Sequence, residues 1–128
     1  MFKISPSICS LVMASAFLAA CAETPPSDGY DSALNRKTAG AGVISGFAKL
    51  CGGKGIEKYR QSFIDTMKSQ REVSPEAEAK IRSQFEYVDT SIAKRFADPA
   101  ARKKQCTDYP LNQATIDSGI AGDFTGQI

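Results

Sequence analysis

Two apolar stripes on either side of a proline limit what this chain can build. Ile56, Tyr59, Phe63, Ile64 and Met67 recur at steps of three, four, one and three, which traces one face of an α-helix. Ala77, Ile81, Phe85, Val88, Ile92 and Phe96 then recur at four, four, three, four and four. Between the stripes, Ser74 suits an N-cap, Pro75 the first helical position, and Glu76 and Glu78 the electropositive first turn. The spacing predicts helices over 55–70 and 75–97. Their short connection makes them antiparallel neighbours. A period of two, which a half-buried sheet requires, persists nowhere, so the expected fold class is all-α: a small antiparallel helical hairpin or bundle with additional short helices.

The flanking elements read as shorter. Asp98-Pro99 repeats the cap-then-proline signal and predicts a short helix toward Cys106, bending the chain so that Cys106 returns to Cys51 at the open end of the hairpin. In "YPLNQATIDSGIAGDFTGQI", Leu111, Ala114 and Thr115 begin a helical face whose continuation falls on the polar Ser118. One short helix over 110–119 is expected there, with Ile120 and Phe124 packing back. Upstream, "GAGVISGFAKLCGGKG" predicts a helix over 43–51, ended by Gly52-Gly53. Its glycines do not make a phosphate loop, because Gly53-Lys54 is followed by Gly55 and no strand precedes Gly40. They read as close-packing and capping residues. "AETPPSDGYDSALNRKTA", residues 22–39, has no hydrophobic period and reads as a flexible tether, with Tyr30 and Leu34 docking only transiently.

The N-terminus carries an address. Met1-Phe2-Lys3 is followed by an uncharged run, Ile8 to Ala20, whose helical length of about 20 Å falls short of a hydrocarbon core of about 30 Å. This describes an export signal rather than a spanning helix. The run ends Leu18-Ala19-Ala20-Cys21, which resembles the lipobox of bacterial lipoproteins. That resemblance implies a diacylglyceryl group on the Cys21 thiol, cleavage after Ala20 and acylation of the new amine, so that several acyl chains hold the protein on a membrane. It divides the chain into a signal peptide (1–20), a lipidated tether (21–39) and a periplasmic helical domain (40–128). Ala22, where the enteric inner-membrane retention signal has Asp, points to the periplasmic face of the outer membrane. Cys9 would leave with the signal and Cys21 be used for lipid. Cys51 and Cys106 then remain as an even pair in an oxidising compartment, which makes a disulfide the natural reading. Closing that loop constrains the unfolded chain by roughly 4 kcal/mol at most.

The residues offer little to catalysis. Sixteen Lys and Arg stand against fourteen Asp and Glu, a balance unlike the basic excess of nucleic-acid binders. The chain has no histidine. No Gly-x-Ser-x-Gly elbow occurs, and Asp28, Asp31, Asp117 and Asp123 do not fit a calcium-loop spacing. The acids instead fall four residues from cations, as in Glu76–Lys80, Glu78–Arg82, Arg82–Glu86, Lys94–Asp98 and Asp98–Arg102, a pattern of exposed charge pairs. Glu86 and Asp89 share a face, but Arg82 beside them makes exposed charge lacing the reading. No enzyme activity, cofactor, metal or small-molecule substrate is therefore expected.

Two sets of residues suit contact with a partner. Arg102-Lys103-Lys104 is the densest basic run, fit for an acidic partner or anionic headgroups, or for stabilising a helix C-terminus. Tyr59 reads as core, whereas Tyr87 lies off the apolar stripe and is the best contact candidate; Tyr109 is a further one. The expected function is protein binding in the cell envelope in an accessory role. The alternative is protective binding, by an immunity protein, an inhibitor or a lipoprotein that excludes incoming mobile elements. The layout is also similar to that of periplasmic acid-stress chaperones, though no motif residue carries that likeness.

Overall fold

Asp31 opens the fold. The computed structural model describes residues 28–128, whose elements are five helices and no strand. They are α1 (Ser32–Leu50), α2 (Ile56–Gln70), α3 (Pro75–Arg95), α4 (Pro99–Asp108) and α5 (Gln113–Ile120). The fold is all-α, with α2, α3 and α4 where the periodicity and the Ser74-Pro75 and Asp98-Pro99 signals put them. Ser74 and Asp98 accept from Ala77 N and Ala101 N as N-caps.

Helix α1 corrects the expected organisation. It begins at Ser32 rather than 43, so residues 28–39 belong to the folded body and the tether boundary at 39 does not hold. The Asp31 carboxylate accepts from Leu34 N at 2.9 Å and starts the helix. Its inward residues are Leu34, Thr38, Ala41, Gly42, Ser45, Gly46 and Ala48, a stripe mostly of small side chains that a hydrophobic period does not register. Leu34 is fully buried rather than transiently docked. Thr38 and Ser45 donate their hydroxyls to Leu34 O (2.8 Å) and Ala41 O (2.7 Å), so neither is left unpaired inside. The earlier part of the expected tether, with Cys21 and the signal segment, lies outside the described residues.

The small stripe lets two helices meet closely. α1 makes its most extensive contact with α3, not with its neighbour in sequence. A Cβ at Gly42 would lie 3.4 Å from Phe85 Cδ1, and one at Gly46 only 2.7 Å from Ile92 Cδ1. Contacts advance together along both helices, so α1 and α3 run parallel. α2 runs antiparallel to both, joined to α1 through Arg71–Asp31 near one end and Arg60–Ser45 near the other. The expected α2–α3 pairing is present through side chains, with Phe63 and Phe85 packed edge-to-face at 5.9 Å, but the α1–α3 seam is tighter.

The core lies between these three helices and α5. Tyr59, Phe63, Ile64, Met67, Leu34, Ile81 and Ile116 are fully buried; each large aliphatic or aromatic side chain so buried contributes about 2 kcal/mol. α5 starts at Gln113, later than expected, and is fitted to α2 at Gly119, where any side chain would run into the Tyr59 ring and Phe124. Ser62 Oγ donates to Gly119 O at 2.6 Å across this contact. Phe124 packs back on Tyr59 and Phe63 at 5.3 and 5.8 Å, as the tail pattern anticipated. The Cys51–Cys106 disulfide, with Cα atoms 5.6 Å apart, ties α4 to the end of α1. α4 buries no side chain.

Candidate functional site

The charged residues divide into an internal network and an exposed set. Glu78–Arg82 forms as expected at 2.9 Å, with Lys68 on the other Glu78 oxygen. The other i,i+4 pairs do not appear. Lys80 turns to Asp28 at 2.7 Å, Arg82 gives its other bond to Gln61, and Asp98 uses its carboxylate as a cap. These partners come from other segments of the fold or from the backbone, which a linear pattern cannot supply.

Asp89 is the clearest departure from exposed lacing. The buried Arg60 donates to it through both terminal nitrogens, at 2.7 and 2.8 Å, and through Nε to Ser45 Oγ at 2.8 Å. Its guanidinium also stacks 4.9 Å from the Phe85 centroid. Lys49 reaches the same carboxylate at 3.3 Å from the solvent side. Hydrogen bonding to Arg60 holds Asp89 below the usual carboxylate range, against the opposing effect of its burial. A carboxylate shared by two cations is a poor proton acceptor; it crosslinks α1, α2 and α3. A signal for this existed: Arg60 interrupts the apolar stripe at the Ile56 + 4 position, where a solvated arginine does not belong. A shallow groove of about 340 Å³ runs beside the network between Gly46, Leu50, Thr90 and Ile92.

The tyrosines sort as the stripes predicted. Tyr59 is buried, donates to Gln127 Oε1 at 2.8 Å, and is pushed by burial up to about 12. Tyr87 is 69% and Tyr109 71% exposed. Arg102, Lys103 and Lys104 are exposed on α4; Lys104 pairs with Asp108 at 2.7 Å. Among the described residues, Lys94, Arg95, Arg102 and Lys103 have no carboxylate partner. Tyr87 stands apart from this group, roughly 12 Å along the axis from the end of α3, and no hydrogen bond joins it to the α4 cations.

Sequence reasoning missed a recess beside the disulfide. Ile44 and Phe47 of α1, with Cys51 at its C-cap, face Tyr109, Leu111 and Ile116 across a groove of about 210 Å³. It exists because Asp98-Pro99 turns α4 back and the bond at Cys106 fixes it there, a meeting of distant segments. Among the described residues, no three His, Cys, Asp or Glu side chains converge to hold a metal ion, and no helix is long and apolar enough to cross a membrane. Comparison with protein-family models, curated proteins and solved structures finds no significant match in any of the three.

Proposed function

We propose that this chain is a lipid-anchored lipoprotein of the bacterial cell envelope, on the periplasmic face of the outer membrane, that works by binding another protein. The observation that carries this reading is Leu18-Ala19-Ala20-Cys21 at the end of a short apolar run, ahead of a body closed by a Cys51–Cys106 disulfide. Such bonds form and persist in the oxidising compartments an exported protein reaches. Binding rather than catalysis is supported by a chain without histidine and by an inner carboxylate already occupied by cations.

The fold sharpens the anchor. Asp28 follows Cys21 by seven residues, so an anchored Cys21 holds it within at most about 25 Å. The Asp28 end is thereby kept close to the bilayer. The 19 residues of α1 set the opposite end of the body roughly 28 Å from the Asp28 end. Tyr87, Arg102, Lys103 and Lys104 are the surface residues proposed to meet the partner.

Mass spectrometry of the mature N-terminal peptide tests the reading. The expected result is a diacylglyceryl thioether and an acylated amine on Cys21, with Cys21→Ser leaving the membrane fraction. A bare thiol at residue 21 in the processed protein contradicts it.

A further inference from the structure

The disulfide end of the body carries an apolar recess, an exposed tyrosine and unpaired cations within a short reach. We infer that this end is a docking site for an acidic protein segment bearing one apolar side chain. That side chain enters the recess between α1 and the α4–α5 link, and its flanking carboxylates meet Arg102 and Lys103. The inference deepens the proposed function and takes its compartment from it, but the surface itself does not depend on Cys21.

The recess supplies the apolar half. Its walls are Ile44, Phe47, Ala48 and Leu111, and Tyr109 forms a lip that both lines the groove and stands 71% exposed. Its volume of about 210 Å³ suits one large side chain and not a drug-sized ligand. The cations supply the other half. Cys51, a wall of the recess, is bonded to Cys106, and Arg102 and Lys103 precede Cys106 by one helical turn, about 5 Å. Between Lys94 and Asp108 the chain has five cations and two carboxylates. Both carboxylates are engaged internally, Asp98 with Ala101 N and Asp108 with Lys104. The free charge is positive and calls for an anionic partner. Arg and Tyr are among the residue types most enriched where protein interfaces are anchored.

A lipid surface fits less well. A helix lying on a bilayer needs a broad apolar face, whereas the apolar side chains of α4 are Pro99, Ala100 and Ala101. Headgroup binding draws on clusters of roughly four to eight cations near one surface, whereas the unpaired cations here are split between two helices, Lys94 and Arg95 in the last turn of α3 and Arg102 and Lys103 on α4.

The test places the photo-crosslinker p-benzoylphenylalanine at position 109 of the full chain, irradiated in cells that produce it. The expected adduct joins a peptide of net negative charge with an aliphatic or aromatic residue beside its carboxylates. Arg102→Gln with Lys103→Gln should lower its yield at least about fivefold, with circular dichroism unchanged because both side chains are exposed. An adduct with phospholipid, an adduct with a peptide lacking net negative charge, the absence of any adduct, or a yield indifferent to the double substitution would overturn the inference. Repeating it with Cys21→Ser separates the two claims: an acidic adduct that persists supports the docking site whether or not the N-terminal peptide proves acylated.

Discussion

The α1–α3 seam and helix α4 both reach Cys51, yet they are held by opposite means. In the seam, Gly42 and Gly46 let two backbones approach until Val88 and Ile92 fill the space where side chains would be, and the attraction is the sum of many small contacts. α4 buries none of its side chains and is fixed by one covalent bond. Small inward residues make the first helix part of the core. A helix whose inward side is only half-buried, at Ala101, Gln105 and Cys106, presents its outer face instead. Internal packing and outward presentation are thus assigned to different segments.

Substitutions that strike one region should leave the other alone. The largest effect is expected from Phe63→Ala, which removes a fully buried ring packed on Phe85 and Phe124; chemical denaturation should show a loss of about 4 kcal/mol. Cys51→Ser with Cys106→Ser should cost about 3 kcal/mol through the unfolded state, while circular dichroism loses no more helix than α4 contains. Gly46→Val forces a branched side chain against Ile92 and Val88 and should cost about 2 kcal/mol by the same denaturation. Arg102→Gln with Lys103→Gln should change stability by less than about 0.5 kcal/mol, so a loss of binding in that variant reports the surface alone.

Acid should act on the body first. Hydrogen bonding to Arg71 lowers the Asp31 carboxyl from 3.8 to about 2, and Arg60 lowers Asp89. Both carboxylates favour the folded state while ionised. The Asp31 contribution is present above about pH 4 and lost as pH falls toward 2, and that of Asp89 is lost in the same direction, so thermal melts should decline over that interval, and less steeply in Asp31→Asn. At the alkaline end Tyr59, raised by burial from 10.0 to about 12, keeps its proton in the folded state. Its contribution is present below pH 10 and lost as pH rises toward 12.

Much of the architecture was legible because large apolar side chains at helical spacing announce themselves. Ser74-Pro75 and Asp98-Pro99 gave the starts of α3 and α4, and cysteine parity gave the staple. α1 was half hidden because Thr38, Gly42, Ser45 and Gly46 pack through their smallness, which hydrophobic periodicity does not weigh. Gly119 was missed for the same reason, its role being the space it leaves for Tyr59. On the candidate surface, Arg102, Lys103 and Lys104 could be read directly, whereas the recess could not, since its walls come from α1 and the α4–α5 link. Arg60 was readable as a cation on an apolar stripe, but its partner Asp89 was set by the meeting of α2 with α3.

Hydrogen exchange of the native protein, with and without a reductant, tests the central contrast most directly. Amides of α1, α2 and α3 should stay strongly protected in both conditions, while those of α4 should be weakly protected when oxidised and exchange at nearly unstructured rates once the Cys51–Cys106 bond is reduced. Amides of α4 as protected as those of α1 after reduction would contradict it.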